Sequence, residues 1–264
     1  MAGISLEQLH TLLVEPSTAQ HRIIEGYLRN LGVREIDWVR NGGEALESIA
    51  RAKPDLLISA MHLPDMTGTE LMETLRNGDH CPDVPFMLIS SETHYRYLEP
   101  IRQGGAIAIL PKPFEPEQLR TALYATLDYF DPGVIKTRSV SHEDLRLLLV
   151  DDSSLSRRHI RHILEAMGIE NITEAENGQQ AFDLVLQNYY DLIVTDLYMP
   201  EMDGKEFVEH VRHESGQPSV PILMVSSEHD ASRLAVVQQA GVSAVCDKPF
   251  DTTTIKQLIE NILD

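Results

Sequence analysis

The chain repeats itself. Shifted by 136 positions, residues 5–128 align with residues 141–264 without a gap, and 38 of the 124 pairs are identical. The matches fall in blocks. SLEQLHTLLV (5–14) faces SHEDLRLLLV (141–150), Asn41-Gly42 faces Asn177-Gly178, VPFMLISSE faces VPILMVSSE, and KPF recurs at 112–114 and 248–250. Solenoid repeats have periods of roughly 20–50 residues, so this longer period means a whole domain carried twice. Two domains are expected, at 5–130 and 141–264, each closing its own core. The stretch between them, DPGVIKTRSV at 131–140, has a Pro-Gly breaker and few large apolar residues, which predicts a short exposed linker.

Each copy alternates strand and helix patterns. In the second, RLLLV (146–150) is a short apolar run of the kind buried on both faces of a parallel sheet. A helical period follows in Leu155, Ile160, Ile163, Leu164 and Met167, and Gly168 is a natural stop. A strand near 172–174, a helix over 178–188 and a strand over 191–196 come next. KEFVEHVRH predicts a third helix, PILMVSS a fourth strand, ASRLAVVQQAG a fourth helix, AVCDKPF a fifth strand with its exit, and TTTIKQLIENIL a fifth helix. Five βα units make an α/β fold with a doubly wound parallel sheet.

Composition excludes several classes. Hydrophobic residues are 42% of the chain, which suits a packed globular protein. The net charge of −19 is shared, −8 over residues 1–132 and −11 over the rest, so neither half offers a basic surface for nucleic acid. Anionic lipid would repel it. Met1–His10 has neither a basic nor an apolar stretch of the signal-peptide type, and no apolar run reaches about 18 residues. A cytoplasmic protein without membrane contact is expected, its two cysteines, Cys81 and Cys246, being reduced thiols.

Ligands of such sheets bind beyond the carboxyl ends of the strands. In the second copy those ends carry Asp151 and Asp152, Asp196, Ser226 and Ser227, and Lys248 followed by Pro249. Three carboxylates gathered at one edge repel one another unless a cation joins them. A hard divalent ion with oxygen ligands resolves this, and Mg²⁺ is the expected one. Taken alone, Ser226 would read as a strand-to-helix cap and Lys248 as a surface lysine; their joint placement argues otherwise.

The residues from Asp151-Asp152 through DLYMPEMDG (196–204) to Ser226 and KPF resemble the receiver domain of bacterial two-component response regulators over the full second copy. The resemblance implies two flavodoxin-like (βα)5 domains with strand order 2-1-3-4-5. It implies that Asp196 is the phosphoacceptor and that Asp151, Asp152, Asp196 and the main-chain carbonyl of Tyr198 hold Mg²⁺. Lys248 would pair with a phosphoryl oxygen and Ser226 with another after transfer, and Pro249 would set a cis Lys-Pro bond that aims the lysine. The implied partners are a sensor histidine kinase or phosphotransfer protein and an unknown downstream protein, with a homodimer through a receiver face left open. Such a chain is no enzyme beyond its own phosphotransfer and autodephosphorylation.

The second copy departs from the family at Val245, where an aromatic is usual three before the lysine, and at Ser227, where Ala or Gly is usual. Tyr198 and Glu228 are expected to flank the approach of water and tune the lifetime of the phosphorylated form. The first copy departs far more. Glu15, Pro16 and Ala60 stand where Asp151, Asp152 and Asp196 do, while Ser90 and Lys112 persist. A methyl group forms no acyl phosphate and proline offers no side-chain ligand. Ser59, one residue along a strand, points away from the site and is expected to be a buried hydroxyl. The first copy thus resembles a pseudo-receiver. Pro100 should kink or shorten its fourth helix, near 95–103, and remodel that face. Trp38, placed after the second strand, is expected to pack.

Three functions remain in view. The chain is a relay that accepts a phosphoryl group and signals through protein contacts, no output module being expected in the sequence; or a phosphate sink for a kinase; or a phosphorylation-independent assembly protein. An aspartyl-phosphate hydrolase is set aside, because Tyr198 stands where those enzymes carry a second Asp.

Overall fold

The computed structural model describes residues 4–78, 81–92, 94–136, 144–228, 231–249 and 252–264. Two compact units divide the chain, Met1–Asp131 and Pro132–Asp264. The first runs β1 (His10–Val14), α1 (Thr18–Asn30), β2 (Glu35–Val39), α2 (Gly42–Arg51), β3 (Leu56–Ala60) and α3 (Gly68–Asn77). It continues with β4 (Phe86–Ser90), α4 (Tyr95–Gln103), β5 (Ala108–Pro111) and α5 (Pro116–Phe130). The second runs β6 (Arg146–Val150), α6 (Ser154–Ala166), β7 (Asn171–Ala175), α7 (Gly178–Gln187), β8 (Leu192–Asp196) and α8 (Gly204–Glu214). It closes with β9 (Ile222–Ser226), α9 (Ala231–Gln239), β10 (Ala244–Asp247) and α10 (Thr252–Leu263).

Each unit is a five-stranded sheet, ordered β2-β1-β3-β4-β5 and β7-β6-β8-β9-β10, and every ladder is parallel. These are two flavodoxin-like domains with the expected 2-1-3-4-5 order. Because side chains alternate along a strand, each central strand feeds two cores. In the first unit Leu12, Leu57, Phe86 and Leu88 pack with Ala45, Leu71 and Ile101 on one side. Leu13, Leu56, Ile58 and Met87 pack with Ile24, Leu28, Leu119 and Leu123 on the other. In the second unit Leu148, Ile193, Ile222 and Met224 meet Ala181, Phe182, Phe207 and Val208.

The paired sequence blocks do the same local work in both units. Asn41 and Asn177 each cap the following helix, accepting from Glu44 N and Gln180 N at 2.8 Å. Gly68 and Gly204 open α3 and α8 against the preceding strand end. A Cβ at these positions would lie 2.7 Å from the Ala60 carbonyl oxygen and 2.1 Å from that of Asp196, so no other residue fits.

Three expectations need correction. The linker is not exposed throughout: Ile135 is buried, its N–H donates to the Met167 carbonyl at 3.0 Å, and Lys136 N donates to Glu260 Oε1 at 2.9 Å. An apolar side chain beside a breaker still leaves water when a helix end lies within reach. Residues 137–140 lie outside the described residues. Trp38 lies within β2, not after it. Pro100 does not shorten α4, which has nine residues like α9; a proline removes one helical hydrogen bond, and tertiary packing offsets that loss.

Candidate functional site

In the second unit β6, β8, β9 and β10 end at one edge of the sheet, and their last residues converge. Lys248 follows β10 and is buried. Its Nζ donates to Asp151 Oδ2 at 2.8 Å and to Ser156 Oγ at 3.2 Å, and lies 3.4 Å from Asp196 Oδ1. Its N–H donates to the Ser226 carbonyl at 2.8 Å, which pins the exit of β10 to the end of β9. The Lys248-Pro249 bond is cis, as is Lys112-Pro113 in the first unit. Phe250 lies outside the described residues.

Asp151, Asp152 and Asp196 each offer a carboxylate oxygen within 4.8 Å of the others, Asp151 and Asp196 buried and Asp152 exposed. Burial pushes Asp196 up to about 7, against the pull of the Lys248 ammonium and with Asp151 adding to the rise. Burial, then Asp151, raises Asp152 as well. Burial opposes the Lys248 charge, yet Asp151 and Asp196 outweigh it and hold the lysine above its usual value. Carboxylates displaced upward by one another and by desolvation favour a hard cation at their centre. The residues present therefore fit Mg²⁺.

The same edge holds Ser226 and Ser227, both buried. Ser226 Oγ accepts from Glu228 N at 3.1 Å. Asp151, Asp152, Asp196 and Lys248 are thus brought together, and Ser226 is joined to them through its carbonyl. Sequence reading missed Ser156, whose hydroxyl donates to Asp151 Oδ2 at 2.5 Å. It also missed Arg157, which donates to the Asp151 carbonyl at 2.7 Å while bonding Glu174 at 3.2 Å and Glu176 at 3.1 Å. Both sit in the first turn of α6; only their helical phase, facing the sheet, could have flagged them. A third omission is Arg233, which binds the Tyr198 hydroxyl at 2.9 Å and Glu228 at 3.0 Å.

At the matching edge of the first unit Ala60 is buried and Glu15 reaches Lys112 Nζ at 3.0 Å. Glu15 Oε1 also accepts from Ser17 N at 2.9 Å. Ser59 is buried and donates to the Ala60 carbonyl at 2.9 Å, so its hydroxyl is spent on backbone. Thr195 does the same for Asp196 in the second unit, at 3.0 Å. Among the described residues, the Asp151–Asp152–Asp196 group is the one cluster with metal-binding spacing.

The family model for the response regulator receiver domain matches residues 11–124 and again 147–260. The chemotaxis protein CheY homolog of Campylobacter jejuni is 38% identical over 120 residues, which covers 45% of this chain and 92% of that protein. Among solved structures, the Vibrio cholerae chemotaxis protein CheY4 is 31% identical, covering 45% of this chain and 98% of that one, with a TM-score of 0.43. A putative two-component system response regulator/GGDEF domain protein is 19% identical and covers 97% of this chain and 100% of that one, with a TM-score of 0.42.

Proposed function

Since the chain belongs to the response regulator receiver domain family in both of its units, we propose that the second unit takes a phosphoryl group on Asp196 and the first takes none. The donor is the phosphohistidine of a sensor kinase or phosphotransfer protein, which places the chain in the cytoplasm. The observation that carries this reading is the convergence of Asp151, Asp152, Asp196, Ser226 and Lys248 at one sheet edge. A carboxylate oxygen of Asp196 attacks phosphorus. The new O–P bond forms as the N–P bond breaks, and the leaving electron pair returns to the imidazole nitrogen. Lys248 holds Asp196 and Asp151 before transfer and pairs with a phosphoryl oxygen during it. Ser226 donates to a second oxygen once the group has arrived. Asp151, Asp152, Asp196 and the Tyr198 carbonyl would hold Mg²⁺, which offsets charge on the transferring group.

The first unit is a pseudo-receiver, a receiver fold kept as a protein-binding surface without chemistry. Tyr198 and Glu228 set how long the phosphorylated form lasts by limiting the approach of water. Unchanged hydrolysis rates in Tyr198→Asn and Glu228→Ala would remove that role. The central test is intact mass after incubation with phosphoramidate and Mg²⁺. One added phosphoryl group, absent from Asp196→Asn, is expected; two groups, or none, would overturn the reading.

A further inference from the structure

Resting on that reading, we propose that Arg233 is a positioning residue that ties α9 to the phosphoacceptor site, so that phosphorylation of Asp196 tightens the first turn of α9. Tyr198 lies two residues beyond Asp196, and Glu228 lies two residues beyond Ser226. The Tyr198 hydroxyl donates to Glu228 Oε2 at 2.5 Å. Arg233 Nη1, from α9, donates to that hydroxyl at 2.9 Å and to the same carboxylate oxygen at 3.0 Å. The ends of β8 and β9 are thereby strapped to the helix by three side chains. The strap is also joined to the site through backbone, because Glu228 N–H donates to Ser226 Oγ at 3.1 Å.

An acyl phosphate carries about −1.5 to −2 charge where the ionised Asp196 carboxylate carried one, so phosphorylation adds about −0.5 to −1 at the end of β8 and moves it outward from the strand. Glu228 is largely buried while the Arg233 side chain is 65% exposed, so the guanidinium is the member free to shift toward the new charge. It draws the first turn of α9 with it. Val245, packed partly buried against the core, has no ring that could carry such a change instead.

The first unit supplies an internal control. At the offset of 136, His62 stands for Tyr198 and Tyr97 for Arg233, while Glu92 is kept. No guanidinium stands at these positions, and His62, Tyr97, Glu92, Met61, Thr69 and Pro100 border a cavity of about 440 Å³. The unit that lacks the acceptor carboxylate also carries different residues at both positions that bond this glutamate in the second unit. The guanidinium and the acceptor carboxylate are replaced together, as expected if one serves the other.

The test uses the full chain, phosphoramidate and Mg²⁺, with intact mass reporting uptake and amide exchange reporting α9. In the parent, one phosphoryl group is expected together with a slowing of exchange in the first turn of α9 by about threefold or more. Arg233→Ala should take up the group equally and lose the slowing, and Arg233→Lys should keep part of it. Uptake with the same slowing in Arg233→Ala overturns the relay, as does uptake in the parent with unchanged or faster exchange in α9. Absence of uptake in the parent overturns the phosphoacceptor reading and the relay with it.

Discussion

In the second unit the buried carbonyl of Asp151 accepts from Arg157, and Glu174 and Glu176 hold that guanidinium in place. In the first unit the matching carbonyl, that of Glu15, accepts from the Trp38 indole at 2.9 Å. The offset places His21 opposite Arg157, Trp38 opposite Glu174 and Arg40 opposite Glu176. Where the second unit has an ion-pair cluster, the first has a stack: His21 lies 3.9 Å from the Trp38 ring, and Arg40 lies 5.0 Å from it on a cation–π contact. The backbone's need for a donor is met in both units, by side chains from different elements. The lysines show the same separation. Lys248 sits between two carboxylates, whereas Lys112 keeps one and is 23% exposed. The lysine that bridges two buried carboxylates in one copy makes an ordinary ion pair in the other.

The comparison breaks first on chemistry, where the effect is all or none: Asp196→Asn should leave the chain with no phosphoryl uptake by intact mass, because Ala60 has nothing to offer. Next is the pair of lysines. Lys248→Met strips the cation from two buried carboxylates and should cost about 3 kcal/mol in the urea unfolding of the second unit. Lys112→Met, at a partly solvated pair, should cost about 1 kcal/mol in the first. Equal losses would mean that the two edges do not differ electrostatically.

Mg²⁺ should act on one unit alone. At 100 times its dissociation constant the ion should stabilise the second unit by about 2.7 kcal/mol, read by amide exchange, and leave the first unchanged. Asp152→Asn should weaken that response. Stabilisation of the first unit would restore it as a metal site despite Pro16.

The donors to the two buried carbonyls come next. Arg157→Ala removes a charged donor and two ion pairs and should cost about 2 kcal/mol, against about 1 kcal/mol for Trp38→Phe.

The smallest effect concerns pH. Asp65 accepts from Gly42 N at 2.9 Å and Gly43 N at 2.8 Å. The Gly42 N–H, and then that of Gly43, lower its carboxyl below the ordinary value. A depressed carboxyl contributes stability above its unfolded value and loses it as pH falls through the folded one. Asp65→Asn should therefore flatten the acid limb of the first unit's unfolding slightly, and leave the second untouched. There Gly178 N donates to the Met202 carbonyl at 3.2 Å instead.

Much of this was legible in the chain. The identical blocks gave two domains. Arg146–Val150 read as a strand buried on both faces, and all of it but Arg146 is buried. The positions of Asp151, Asp152, Asp196, Ser226 and Lys248 followed from where those strands stop. Ser156, Arg157 and Arg233 did not, because a polar residue in the first turn of a helix is commonplace and its partner lies far off in sequence. Trp38 was misplaced by a residue or two, since β2, an edge strand, is only partly buried and its pattern is faint.

The sequence by itself determined the duplication, the order of strands and helices, and the replacement of Asp196 by Ala60 at the matching place in the first unit. These depend on local period and on which atoms a residue possesses. Only the tertiary structure decided that Arg157 and Trp38 answer the same backbone demand from different elements, and that Arg233 reaches across to Tyr198 and Glu228. Such contacts are set by how a helix is seated on its sheet, and that seating follows from packing over the whole unit rather than from any stretch of chain.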